Sequence, residues 1–490
     1  MSHPGSSVKP FPVADAVPSY WRKQVGPIDN HRSTEHLPTQ VDIVIVGAGY
    51  AGASIVHHIV EECVRRDRPL PSILILEARE ACSGATGRNG TYHMPLRIQF
   101  NIARTDSGNL GGHLKPDPLS RAASVLETHG KAVAEHVATF ESRQVDAIKE
   151  LVQRENCDCD FEETRVTDVC FYEAGRDKIK ADIAKTVKAG ISTAKGIKFT
   201  SGSEAEEVSG VWGAKSCHTY SAARLWPYRL VAHLLEKAVS MGVNLQTHTS
   251  VTSVSAAAGG TKDHDWVVDT PRGSVKTSTL VYATNGYTSA LVPEMKDKVV
   301  PVRGIVARLA AENAPRMTDS YMMRFSDYEY DYMIPRPDGS IIVGGGRRDY
   351  YKDLDEWFDV SDDSRLMDGA RHYFDGYMQR HFRGWENSGA HTEELWTGIM
   401  GYSNDGFPYV GPVCGKPGQY MCAGFSGHGM PQIFFCAKAI ASMVITGDAE
   451  NVDLPVPYRI TRSRWYQQKE HVSLKMWQQI AESQPAQARL

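Results

Sequence analysis

Apolar positions along this chain alternate between two periods. Val41 to Val46 is an apolar run broken only by Asp42. Such a run predicts a strand buried on both faces of a parallel sheet. Residues 51–64 then put Ile55, Ile59 and Val60 at helical spacing, and Ser72 to Leu76 predicts a second buried strand. Helical period returns over residues 119–155, over Asp177–Ala189 and over Trp226–Met241, the last closed by Gly242. Strands are predicted for Phe161–Tyr172, for Val243–Val254 as one alternating run, and for a hairpin about Pro271-Arg-Gly273. Leu280 to Gly286 predicts a strand running into a turn. Val299–Leu309 and Tyr332–Ile342 are strand-like, the second broken by the turn signal Pro335-Arg-Pro-Asp-Gly339. Gln419–Ala423 and Ile433–Thr446 close the series as strand and helix. Residues 1–40 are rich in Pro, Ser and His and predict an extended lead-in, with Pro18-Ser-Tyr-Trp21 packing on the body.

The chemistry is concentrated where the first strand ends. Gly47, Gly49 and Gly52 follow it at G-x-G-x-x-G spacing. The first glycine permits a tight turn, the second lets backbone approach a pyrophosphate, and the third lets the next helix pack closely on the strand. The helix's first-turn N–H groups point at that loop and suit a diphosphate. A lone glycine pattern is weak evidence. Here a second strand follows and ends at Glu77, where an acid about 20 residues on accepts hydrogen bonds from an adenosine ribose and repels a 2′-phosphate. Beyond it, residues 82–97 form a polar, glycine-dense loop too long for a simple connector.

Composition narrows the class without deciding it. The 490 residues are enough for two or three domains, and the net charge of −4 comes with no basic patch, which argues against nucleic acid. No segment reaches the roughly 18 uninterrupted apolar residues of a membrane span, and residues 1–17 lack the apolar stretch of a secretory leader. The nine cysteines are scattered and are read as reduced thiols. Cys157-Asp-Cys159 is the only close pair and has no further ligands at metal-site spacing, so no metal is expected.

Taken in order, several landmarks resemble the D-amino-acid-oxidase-like superfamily of FAD-dependent oxidoreductases, within it the γ-glutamylputrescine, glycine and sarcosine oxidase relatives. They are Val44-Ile-Val-Gly-Ala-Gly-Tyr-Ala-Gly52, Leu76-Glu77, Gly84-Ala-Thr-Gly-Arg-Asn-Gly90, Ala283-Thr-Asn-Gly286, Val300-Pro-Val-Arg-Gly304, Pro335 to Gly339 with Gly344-Gly345, Asp405-Gly-Phe-Pro-Tyr-Val-Gly411 and Ala423-Gly-Phe-Ser-Gly-His-Gly429. The resemblance implies an α/β fold with an α+β second domain. A Rossmann-like FAD-binding domain would come from 41–115, 220–300 and 385–450. A substrate domain on an antiparallel sheet would come from 116–219 and 301–384, with 1–40 as an N-terminal extension and 451–490 as a tail. Carried over by position, Gly47, Gly49 and Gly52 hold the pyrophosphate, with Tyr50 and Ala51 beside them, and Glu77 with Ala78 holds the ribose. Thr86, Arg88, Asn89 and Gly90 hold phosphates or the flavin edge, Val251 presents backbone to adenine, and Gly286 joins the cofactor contacts. Gly427, His428, Gly429 and Met430 open the last helix at the flavin pyrimidine, where a helix N-terminus stabilises the charge of reduced flavin.

Two departures from that pattern matter. Gly398-Ile-Met-Gly-Tyr402 has no cysteine where covalent relatives attach flavin, so FAD is expected to be non-covalent. Met430-Pro431-Gln432 stands where the sarcosine branch keeps a carboxylate-binding Lys, which puts a simple α-amino acid in doubt.

The activity implied is oxidation of a primary or secondary amine or amino-acid derivative, with a hydride equivalent passing to flavin and O2 reoxidising it to hydrogen peroxide. The implied partners are a small-molecule amine and O2. An FAD-dependent amine dehydrogenase with another acceptor and a flavin monooxygenase remain the alternatives. Arg97 sits where the sarcosine branch keeps a substrate-binding Arg, and its planar fork suits a carboxylate. An Arg at the surface or beside phosphate fits the same spacing. His93 and His428 are further candidates at the active site. Tyr332 and Trp396 are candidate pocket walls, although core packing is the ordinary place for both. A disulfide-reductase class lacks its second glycine motif and its redox cysteine pair. The last three residues, Ala488-Arg489-Leu490, resemble the C-terminal tripeptide read by a peroxisomal import receptor. Localisation is thus expected to be peroxisomal or cytoplasmic.

Overall fold

The computed structural model describes residues 9–89, 112–257 and 265–483. Its centre is the strand Gln40–Val46, flanked in parallel by Ile73–Leu76 and Gly273–Tyr282. Asn244–Gln246 adds beyond the second strand and Gln419–Ala423 beyond the third, both parallel. Successive residues of the central strands go to different cores. Ile43, Ile45, Ile73 and Ile75 pack with the helices Tyr50–Arg65, Pro227–Ser240 and Ile433–Thr446. Val44, Val46, Leu74 and Leu76 pack on the opposite face with Val251, Val268 and Met421. That double burial is why residues 43–46 and 73–76 are apolar at every position, and truncating one such residue to Ala would cost ~2–5 kcal/mol.

A hairpin, Ser253–Ala256 with Trp266–Thr270, and the strand Tyr409–Pro412, both added antiparallel, complete the eight strands. A second sheet has nine strands. Its long pair is Val299–Ala310 with His391–Ser403, and all its pairings are antiparallel except Ser320–Arg324 with Glu162–Cys170.

Four expectations need correction. The alternating run Val243–Val254 is not one strand. It breaks between Gln246 and Ser253, where His248 has φ +49° and the Thr247 and Thr249 hydroxyls donate to the carbonyls of His31 and Thr247. Side chains that bond nearby backbone compete with ladder pairing, and here they turn the chain so that Val251 faces a cavity. The helix over 119–155 runs Ser120–Glu155 but breaks at Gly130, with φ 79° and ψ 176°. His391–Ser403 lies inside the 385–450 segment yet pairs along its length with Val299–Ala310 of the second sheet, and Ser216–Arg224 crosses the boundary at 219–220. Residues beyond 451 are not merely a tail: helix Arg462–Tyr466 buries Trp465 and sends Arg464 onto Asp405 with two bonds of 2.7 and 2.8 Å. Among the described residues no helix is long and apolar enough to cross a membrane.

Histidines are unusually deep in this interior. Burial pushes His58, His218, His381, His428 and His471 each down to about 4. They are neutral when folded and charge near 6.5 when unfolded, so unfolding takes up protons between these values. Asp331, pushed up to about 6 by burial, acts in the opposite sense, as do Asp29, Asp117 and Glu329, which burial also raises, but the lowered histidines outnumber them. Stability should therefore fall as pH is lowered from 6.5 toward 4. A Tm series across that window checks this, and a flat profile would contradict it.

Candidate functional site

Three glycines build one end of a long cavity, each for its own physical reason. Gly47 has φ +107° and turns the chain out of the central strand. A Cβ on Gly52 would lie 1.9 Å from the Gly47 carbonyl oxygen, so only glycine lets the helix come this close. Gly49 has an ordinary extended backbone, and a Cβ there would meet only the Thr86 hydroxyl at 3.5 Å. Neither strain nor protein contact demands glycine at that position, and it lines the cavity. The space kept clear is for something other than protein. Gly49 is also the N-cap of the helix and has no side chain to cap it, so the helix's positive end faces the cavity.

Glu77 braces this loop. Its Oε2 accepts from Ala48 N at 2.8 Å and its Oε1 from Arg79 N at 3.1 Å, which leaves further lone pairs of both oxygens for a ligand hydroxyl. The cavity encloses about 1240 Å3 of non-atom space, part of it open to solvent. Around Glu77 it is lined by Ala78, Arg79, Ser250 and Val251. Ile399, Met400, Phe425, Met430 and Ile433 also line it and are apolar. Glu77 and Arg79 are the only charged side chains among its described lining residues.

A family model described as FAD-dependent oxidoreductase matches residues 42–443. The chain belongs to that family. A glycine oxidase of Pseudomonas aeruginosa is 24% identical over 234 residues, which are 46% of this chain and 57% of that protein. The chain spans about half the length of the curated relatives it matches. Among solved structures, glycine oxidase from Geobacillus kaustophilus superposes with a TM-score of 0.64 at 19% identity, covering 87% of this chain and 99% of that one. L-Proline dehydrogenase from P. horikoshii gives 0.63 at 19% identity, covering 86% and 98%. At such identities the structural likeness speaks for the fold alone. FAD is the cofactor that the family brings to this cavity.

The cavity fits FAD at several of the sequence-derived positions and not at others. Gly47, Gly49, Tyr50, Ala51, Glu77, Ala78, Thr86, Asn89, Val251, Gly427, Gly429 and Met430 line it. Thr86 accepts from Tyr50 N at 3.2 Å, and the buried Asn89 Oδ1 has no partner among the described residues, so it is an acceptor left for a ligand. Gly52 stands behind the loop as packing. Arg88 does not face the cavity. Its guanidinium is consumed by the carbonyls of Ser83, Thr397 and Val17 and by Asp363, and burial, opposed by Asp363, pushes it down to about 10. Gly286 is also a packing glycine, with Met400 O only 2.6 Å from where its Cβ would be. Its neighbours Asn285 and Tyr287 line the cavity instead.

His428 is turned away as well. Its Nε2 lies 2.7 Å from Glu141 Oε2 in the core. Glu141 also accepts from Gln432, Tyr458 and the Asp117 backbone. Burial alone would raise the pKa of Glu141, and these donors with Arg121 and His428 hold it below the usual range. The loop that faces FAD is thus pinned from behind by a neutral imidazole on an ionised carboxylate. Tyr332 is buried in the second sheet with its hydroxyl over Gly344 and is not among the lining residues. Gly90, His93 and Arg97 lie outside the described residues. Sequence reasoning missed Arg79, Asn285, Tyr287, Ile399 and Phe425. Asn285 carried a signal within Ala283-Thr-Asn-Gly286; its Oδ1 accepts from Gly424 and Phe425 N and ties two cavity loops together.

One metal-like grouping exists among the described residues, where none was evident in the sequence. His57, His58 and Glu61 place ligand atoms within 4.8 Å of one another. Arg154 lies 2.7 Å from Glu61 Oε1 and already supplies the positive charge a cation would bring.

Two glycine substitutions separate ligand space from protein packing. Gly49→Val should leave a folded protein and weaken FAD binding by about a hundredfold or more, because the added carbons enter ligand space. Gly52→Ala should instead prevent the fold, since the strand cannot retreat. Flavin absorbance after purification and near-UV circular dichroism check both, and a yellow Gly49→Val protein would refute the assignment.

Proposed function

We propose that this protein oxidises the C–N bond of a primary or secondary amine, or of an amino-acid derivative, and passes the electrons to O2. The observation that supports this best is the apolar wall of the cavity in a chain that belongs to an FAD-dependent oxidoreductase family. Removing a hydride equivalent from carbon next to a neutral nitrogen needs no strong general base. An apolar wall such as Ile399, Met400, Phe425 and Met430 favours the neutral amine over its ammonium form. FAD, when bound, supplies the two-electron acceptor for this chemistry. The amine loses two electrons and two protons to give an imine. Water then adds and splits the imine into a carbonyl and an amine. The two electrons and two protons reduce O2 to hydrogen peroxide. Similarity to a glycine oxidase supports an amino-acid-like substrate. None of the nine cysteines lines the cavity, which supports non-covalent FAD.

In a second reading, a carrier other than O2 takes the electrons. Anaerobic mixing with a panel of amines should bleach the flavin with at least one of them. Admitting air should then restore the colour and release hydrogen peroxide. Bleaching that air does not reverse would favour the dehydrogenase, and no bleaching by any amine would sink both readings.

Arg97 is proposed to clamp a substrate carboxylate. Arg97→Ala should raise KM for a carboxylate-bearing substrate by the equivalent of about 2–3 kcal/mol, the loss of a bidentate charged pair. Unchanged kinetics would remove Arg97 from the site. A peroxisomal address is proposed for Ala488-Arg489-Leu490, where peroxide would meet catalase. A fluorescent protein fused at the N-terminus should give punctate signal that becomes diffuse when the last three residues are deleted.

A further inference from the structure

Residues 11–22 are not idle lead-in. Phe11 and Pro12 are half-buried and line the cofactor cavity together with Arg79. The backbone after them is fastened to the loop that follows Glu77. Arg79 Nη1 donates to Val13 O at 3.1 Å, and Arg88 Nη2 donates to Val17 O at 2.5 Å. Trp21 is fully buried and donates its indole N–H to Asn89 O at 2.7 Å, while Arg22 donates to Ala81 O at 2.7 Å. One residue from far along the chain locks this arrangement. Asp363, 0% exposed, accepts from Arg79 Nη1 at 2.9 Å and Nη2 at 3.2 Å and lies 3.2 Å from Arg88 Nε. Its own carbonyl accepts from Val17 N at 2.9 Å. A single buried residue thus joins the N-terminal segment, through its carbonyl, to the cofactor loop, through its carboxylate, and to the stretch before the strand His391–Ser403.

We propose that residues 11–17 are a wall of the FAD site, clasped by Asp363, and that this wall sets how slowly FAD leaves. The cavity reaches Phe11 and Pro12, so cofactor that fills it is covered by them. Release then requires the segment to lift, and lifting strips the Arg79–Val13 and Val17–Asp363 hydrogen bonds from a buried setting where no water replaces them at once. The family match begins at residue 42, so the wall lies in the part of the chain that the match does not cover. The competing account is a prop that steadies the fold and is indifferent to the cofactor.

The test uses full-length protein loaded with FAD. Phe11→Gly combined with Pro12→Gly removes the wall and leaves Arg79, Arg88 and Asp363 in place. Flavin release is followed by fluorescence in the presence of excess scavenging apoflavoprotein. Release should speed up by about tenfold or more, from the loss of one aromatic contact with the ligand, while the urea midpoint of the FAD-free form stays unchanged. Independently, wild-type protein with and without FAD is compared by amide hydrogen exchange over residues 9–22. Exchange at the Val17 amide should be slower with FAD bound. Unchanged release, or exchange indifferent to FAD, would overturn the proposal and leave the segment as a prop.

Discussion

The cofactor half of the molecule depends on one close approach, that of the helix Tyr50–Arg65 to the turn that ends the central strand. The Gly47 carbonyl occupies the space where any other residue at 52 would put its Cβ. With the helix so near, its uncapped first turn lies against the cavity, and Ile55 and Ile59 reach the sheet with no exposed surface. Each such burial contributes ~1.5–3 kcal/mol, so a small displacement at Gly52 would be felt through the whole layer. Glu77 adds the polar counterpart by holding Ala48 N and Arg79 N, one residue from each side of the glycine turn and its neighbouring strand.

What could be read from the sequence was whatever had a short-range cause. The doubly buried strands announced themselves as unbroken apolar runs, and the glycine turn announced itself by spacing. Failures came where distant residues decide. Nothing near Arg88 in sequence shows that Asp363 and the Thr397 carbonyl will consume its guanidinium. Nothing near His428 shows that Glu141, on a distant helix, will draw it away from the cavity. The alternation through Val243–Val254 was real, but the Thr hydroxyls inside it bond backbone and end the strand early. His391–Ser403 was grouped with its sequence neighbours, whereas its partner strand put it in the other sheet.

The same contrast explains the polar interior. Glu141, His428, Gln432 and Tyr458 come from three separate stretches and meet at one carboxylate. A buried polar network of this kind restricts the arrangements its members can take. Here it fixes the approach to the last helix, whose opening residues Gly427, Gly429 and Met430 face the cavity. Positions that looked catalytic by motif thus include some whose task is to hold backbone still for others.

The order of the first sheet also has a consequence for how the chain comes to be made. Residues 43–46 of the central strand lie beside 279–282, and those lie beside 419–421. A ribosome delivers the first strand long before 279–282, so the glycine turn emerges into solution with no carbonyl ladder on that side. Loop closure over such separations is slow. The cavity's wall at Phe425 to Ile433 is synthesised later still. The nascent chain therefore has no complete nucleotide site until residue 433 has left the ribosome.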